Sequence, residues 1–329
     1  MTTPRIKQWA ALFIIGTLFT GAIGFASEEA VVAFKQKPNH MRITIGGKPF
    51  ATYYLDYEDP TQDLKITRPF FAHVKTPSGI QATRHHPPIK GQDKTDHADY
   101  HPGIFLAFGD ISGNDCWRMK ARVEHEMYVE KPRGGPGQGT FTVRNFYLKQ
   151  GSRERICAEL CRYTILVREH GTLLLCESTF SSDTGDFTFG DQEEMGLGIR
   201  VNTQISEELG DGHMTNAEGH KDGEGCWGKQ SDWIDYSGIV EDQYIGMAIM
   251  PDPKNFRRSW YHARDYGYIA ANAFGRDAMK AGDKSTVTVK KGEEFHLGYG
   301  VLIYSVRAGL KVDIDHAYQD YLKQLKGEN

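Results

Sequence analysis

The sequence predicts an all-β fold, an antiparallel sandwich closed by a short C-terminal helix. Three observations predict it. Apolar and polar residues alternate with period two through many short runs. Gly and Asp turns separate those runs, and helical periodicity is clear only after Asp313.

The elements follow in chain order. Arg5 and Lys7 precede the almost wholly apolar stretch Trp9–Ile23, and Gly24-Phe25-Ala26 supplies the small-x-small pattern of a signal-peptide cleavage site. The stretch is shorter than the ~20 residues of a spanning helix, and Gly16 and Gly21 interrupt it. Residues 1–26 therefore read as a signal peptide, and residues 27–329 as one exported domain, periplasmic or extracellular. No later run is apolar enough to span a bilayer, and no linker, charge block or repeat divides the remainder. Met41–Ile45 and Lys48–Leu55 flank Gly46-Gly47, a two-residue hairpin turn. Thr140–Leu148, Tyr163–Val167 and Thr172–Thr179 alternate as strands, the last two joined at Glu169-His170-Gly171. Gly196–Thr203, Tyr244–Met250, Thr286–Val289 and Phe295–Tyr304 complete the β pattern. Asp313 or Asp315 can cap a helix through Leu325 with Tyr318, Tyr321, Leu322 and Leu325 on one side.

Composition narrows the partners. The formal charge is −4 and becomes −6 once Arg5 and Lys7 leave with the leader, which contains no acid. Charges are interspersed, so a nucleic-acid surface working through basic excess is excluded. Five cysteines, Cys116, Cys157, Cys161, Cys176 and Cys226, are an odd number. In an oxidising compartment Cys176 could pair with Cys161 or Cys157 across a hairpin; buried free thiols are the alternative.

Three polar segments interrupt the strands. The first holds four histidines in seventeen residues: Arg84-His85-His86-Pro87, then Asp96-His97, and His101-Pro102-Gly103. Imidazoles there suit proton transfer, ligand hydrogen bonding or a divalent metal. His97 and His101 would share a face in a helix, but Pro102 and Gly103 oppose one. The second, Phe108 to Trp117, is turn chemistry returning the chain to a strand at Trp117, a core or sugar-stacking residue. The third contains Lys229, Trp233, Asp235 and Tyr236, then Trp260, His262 and Arg264, then Asn272. Period two places Trp260, His262 and Arg264 on one face of a strand, where Arg264 can clamp an oxygen-rich or anionic ligand. Glu194 precedes the Gly-rich run ending at Arg200 and is a candidate general base. There is no GxSxG elbow, Walker loop or helix-opening GxGxxG.

These segments together resemble the PmoA-like family of exported bacterial proteins. The resemblance runs through Thr83–Pro87, Asp96-His97, His101–Gly103, Gly113–Trp117, Glu194 with Gly198–Arg200, Trp227–Lys229, Trp233–Gly238, His262–Gly267, and Asn272 with Phe274-Gly275. It departs at Tyr100-His101, where the family pattern has adjacent histidines. It implies a galactose-mutarotase-like β-supersandwich whose concave face holds carbohydrate. Methane oxidation, which the family name suggests, does not fit a mature chain without a spanning segment.

The functional expectation is a carbohydrate-active enzyme moving a proton on a sugar or uronic-acid-containing glycan, as an epimerase, mutarotase or lyase does. His97, His101, His262, Glu194 and Tyr236 are the candidate catalytic groups. Arg84, Trp117, Arg200, Lys229, Trp233, Asp235, Arg264 and Asn272 are the candidate substrate contacts. Hydrolysis would need two carboxylates about one bond, and Glu194 with Asp235 is the pair available. The alternatives are a non-catalytic glycan-binding module and a metalloenzyme built on the histidines; oligomeric state is left open.

Overall fold

The computed structural model describes residues 29–327; the leader reading lies outside them. Two eight-stranded antiparallel sheets form the molecule. The first runs, in spatial order, Val32–Gln36, His40–Ile45, Lys48–Tyr54, Phe70–Ala72, Ile104–Phe108, Met195–Arg200, Tyr268–Asn272 and Trp260–Arg264. The second runs His213–Asn216, Ile234–Val240, Gln243–Pro251, Glu294–Arg307, Gly171–Ser181, Arg155–Arg168, Gln138–Leu148 and Val123–Gly135. The all-β sandwich expected from the alternation is therefore the fold observed. Gly46 and Gly47 take φ of 56° and 76°, the left-handed pair that a two-residue hairpin needs.

One continuous apolar cluster fills the space between the sheets, drawing Tyr53, Phe71, Phe108, Leu197, Ile199, Tyr261 and Ile269 from the first and Phe141, Tyr163, Tyr236, Met247 and Ile303 from the second. The alternate residues of the first sheet, Phe105, Ala107, Tyr268 and Ala270, form a second cluster with Trp117 on its outer face. That face carries the site. The outer face of the second sheet is covered by the helix Ile314–Lys326 through Ile314, Ala317, Tyr318 and Tyr321. Asp313 caps this helix by accepting from the His316 N–H at 2.9 Å, and Gly327 ends it in the left-handed region.

One expectation is corrected here, and one open choice is resolved. Trp117 lies in a turn, not at a strand entry. All five cysteines are buried free thiols; the Cys161 and Cys176 sulfurs are 3.6 Å apart across neighbouring strands, hydrogen-bonded and without a disulfide. No helix among the described residues is long and apolar enough to cross a membrane.

Candidate active site

The outer face of the first sheet is built on strand Trp260–Arg264 and its neighbour Tyr268–Asn272, with His262 opposite Ala270 and Arg264 opposite Tyr268. Tyr261 and Ala263 belong to the inter-sheet core, so Trp260, His262 and Arg264 project outward together, as period two requires. One strand inward, Gly198 lacks a side chain where a Cβ would lie 2.8 Å from the Phe105 ring and 3.0 Å from the Tyr268 hydroxyl. That absence lets Tyr268 and Phe105 approach over the strand.

His101 sits on this floor. Its ring stacks on Tyr268 with centroids 4.0 Å apart, and its Nε2 accepts from the Trp117 indole N–H at 3.4 Å. Burial, with Arg200 nearby, pushes His101 well below the usual imidazole range, so it is neutral. The loop bearing it is gathered by two buried arginines. Arg84 donates to the carbonyls of Lys94, Asp96, His97 and His101 at 2.8, 2.6, 3.3 and 3.0 Å. Arg200 donates to both carboxylate oxygens of Asp96, at 2.7 and 3.3 Å, and lies 4.5 Å from the Tyr266 ring. Asp96 is held well below the usual carboxylate range because hydrogen bonds and these cations outweigh its partial burial. His97, exposed and with φ of 48°, reaches Asp96 through Nδ1 at 3.1 Å.

Glu193 is the hub. Its Oε1 accepts from the Trp227 indole N–H at 2.6 Å and from the Arg264 guanidinium, and lies 3.5 Å from His262 Nε2. His262 is buried, its two nitrogens have no hydrogen-bond partner, and burial drives it well below the usual imidazole range. Asn272 holds the segment bearing Glu193: its amide donates to the Gln192 and Glu193 carbonyls, and its oxygen accepts from the Phe274 and Gly275 N–H groups. The neighbouring Glu194 pairs with Arg118.

Trp227, Arg264 and Tyr266 also form one wall of an open cleft of about 800 Å³, whose remaining lining includes Glu207, Glu208, Asp222, Glu224 and Asp265. Glu207 accepts from the Met214 and Gly223 N–H groups at 2.6 and 3.0 Å and is hydrogen-bonded to Asp265. Burial, aided by the Asp265 hydrogen bond, outweighs the two N–H groups and lifts its carboxyl to about 7.

The structure thus brings His97, His101, His262, Glu194 and Arg264 to one face and assigns other work to the rest. Trp117, buried at 1% exposure, supports His101 and offers no stacking surface. Arg84, Arg200 and Asn272 are sealed and position loops rather than touch a ligand. Tyr236 points into the core, where its hydroxyl donates to the Asp265 carbonyl and accepts from the Glu207 N–H. Asp235 lies on the other sheet, buried beneath Ser237 and Tyr304, so it cannot pair with Glu194 about one bond. Trp233 donates to Asp315 on the C-terminal helix, also remote. Lys229 is exposed and its backbone bridges Cys226 and Tyr261. The four clustered histidines have separate partners: His85 faces Asp93, and His86 packs among Tyr54, Tyr57 and Phe70.

Glu193, Glu207, Trp227 and Tyr266 were not among the sequence-derived site residues. Glu193 had a signal, since it adjoins Glu194, and Tyr266 continues the period-two series past Arg264. Nothing local marks Glu207, which enters the cleft from the segment after Thr203–Ile205.

The chain belongs to the family of unknown function DUF6807, which matches residues 40–316. No protein of curated function matches it. Among solved structures it is similar to the GH36 alpha-galactosidase AgaA from Geobacillus stearothermophilus, at 8% identity over 84% of this chain and 41% of that one, with a TM-score of 0.41. It is also similar to a galactose mutarotase-like protein from Lactobacillus casei ATCC 334, at 9% identity over 83% of this chain and 100% of that one, with a TM-score of 0.33. A GalM/aldose epimerase homologue from C. elegans shares 9% identity over 84% of this chain and 99% of its own, with a TM-score of 0.29. The chain spans less than half the length of the alpha-galactosidase.

Proposed function

We propose that this is an exported carbohydrate-active enzyme, galactose-mutarotase-like in fold, that moves a proton on a neutral sugar in epimerase, mutarotase or lyase fashion. The observation that carries the reading is a cleft carboxyl lifted to about 7, Glu207, facing a wall whose Arg264 and Trp227 are hydrogen-bonded to a second carboxyl, Glu193. Glu193, beside Arg264, Trp227 and neutral His262, is the acceptor. Glu207, lifted to about 7 and itself lining the cleft, is the donor. A carboxyl held near neutral pH suits general acid–base work.

The substrate class follows from charge. The cleft presents five carboxyl side chains against Arg264. Arg200, expected as a substrate contact, is spent on Asp96. A neutral sugar meets less repulsion there than a uronate, and Trp227 and Tyr266 supply aromatic surface for its apolar face. The basic leader Arg5/Lys7, the apolar run and Gly24-Phe25-Ala26 support export.

The test is proton NMR of a panel of neutral sugars and uronates in D2O with the mature protein. It reads anomer interconversion, C–H exchange and unsaturated products together. The expected result is accelerated conversion of a neutral sugar, lowered about 10²–10⁴-fold in Glu193→Gln. Binding without conversion would instead identify a glycan-binding module, and activity undiminished in Glu193→Gln would refute the site.

A further inference from the structure

A second polar cluster lies on the other sheet, away from the cleft. Glu169 and His170 form the turn between strands Arg155–Arg168 and Gly171–Ser181, where Arg168 pairs with Gly171. This turn abuts the C-terminal helix. His316 and Asp320, four residues apart, leave one face of that helix. His170 Nε2 and His316 Nε2 lie 3.4 and 3.5 Å from the same oxygen, Asp320 Oδ2. The two imidazole rings meet edge to face with centroids 4.8 Å apart. The other Asp320 oxygen, Oδ1, accepts from Lys323 Nζ at 3.0 Å.

We propose that His170, His316 and Asp320 bind a divalent transition-metal ion of the zinc class. The three ligand atoms lie within 4.8 Å of one another. Tetrahedral zinc at ~2.0–2.2 Å from each donor holds neighbouring donors about 3.4 Å apart, so the two shorter separations already match and a rotamer adjustment closes the third. Two imidazoles and one carboxylate favour zinc, copper or nickel over calcium or magnesium, which take oxygen donors. Lys323 fixes the carboxylate from behind, as outer-shell partners of metal ligands do.

The spacing is imposed by the fold. Arg168 donates to Gln324 Oε1 at 2.7 Å and joins the turn to the next turn of the helix independently of the three ligands. The fourth position faces solvent, because the His316 side chain is 58% exposed. The bound ion would pin the C-terminal helix to the hairpin, a link that the histidine–aspartate pairs alone supply weakly, since exposed ion pairs contribute little.

The experiment uses the tag-free mature chain, stripped with chelator, and titrates zinc chloride by calorimetry with a parallel thermal melt. Magnesium chloride is the control. The expected result is one zinc equivalent bound, no response to magnesium, and a melting temperature raised by about 5 °C at a hundredfold excess over the dissociation constant. His170→Ala and His316→Ala should each abolish the zinc response, and His316→Ala, at a side chain 58% exposed, should keep the metal-free melting temperature. Absence of zinc binding, or zinc binding undiminished in both variants, would overturn the assignment. Neither outcome bears on Glu193 and the cleft.

Discussion

Arg84, Arg200 and Asn272 show how a polar residue near a site can serve it without reaching a ligand. Each is buried and hydrogen-bonded inside the loops that carry His101, Asp96 and Glu193. Removing one partner of such a pair strands the other, so Arg200→Ala should cost about 3 kcal/mol of stability, read by urea unfolding. Glu207 makes a different prediction. Its carboxyl, lifted to about 7, is protonated and able to donate below that pH and loses the proton above it. Turnover on the preferred sugar should therefore fall about tenfold per pH unit above ~7 in the wild type. Glu207→Gln should have lower turnover without that limb. At this scale the residue types at the site were legible in the sequence, but their duties were not. Burial decides whether an arginine clamps a ligand or its own backbone, and period alone does not report burial. Glu193 and Glu194 are adjacent in the chain, and only the tertiary positions of Arg264 and Trp227 distinguish them.

The strands and the C-terminal helix were the most legible elements, because alternation, Gly-Gly turns and the Asp313 cap are local signals. Less legible was which sheet a strand joins. Strand Ile234–Val240 pairs with Gln243–Pro251 in the second sheet, which places Asp235 far from Glu194. Asp235 is fully buried, and burial lifts its carboxyl from 3.8 to about 7. A raised native value means that the native state holds the proton more tightly than the unfolded chain. Its contribution is complete below about pH 4 and is lost as pH rises through about 7, by roughly 4 kcal/mol. Comparing wild type with Asp235→Asn cancels the terms from the buried histidines. The wild type should lose stability relative to this variant between about pH 4 and 7 and hold level below. The helix Ile314–Lys326 contributes through Tyr321, which is fully buried on the outer face of the second sheet. Tyr321→Ala should cost about 3–5 kcal/mol by the same unfolding measurement.

At the scale of the whole molecule, two sheets share one core and divide the outer faces between them. The second sheet covers its outer face with a helix, and the edge strand Trp260–Arg264 of the first borders an open cleft. The strand Trp260–Arg264 lies at the edge of the first sheet, so its outward side chains meet the loops bearing Glu193 and Glu207 instead of another strand. No sequence spacing announces such a meeting, since Glu193, Glu207 and Arg264 are brought together by sheet order. The central claim is that proton transfer belongs to this edge, with Glu193 at its hub. The most direct measurement is the rate of sugar conversion, followed by NMR in D2O, for wild type, Glu193→Gln and Asp235→Asn side by side. The account predicts that conversion collapses in Glu193→Gln and persists in Asp235→Asn. Conversion that survives in Glu193→Gln, or fails equally in both variants while both remain folded, would contradict it.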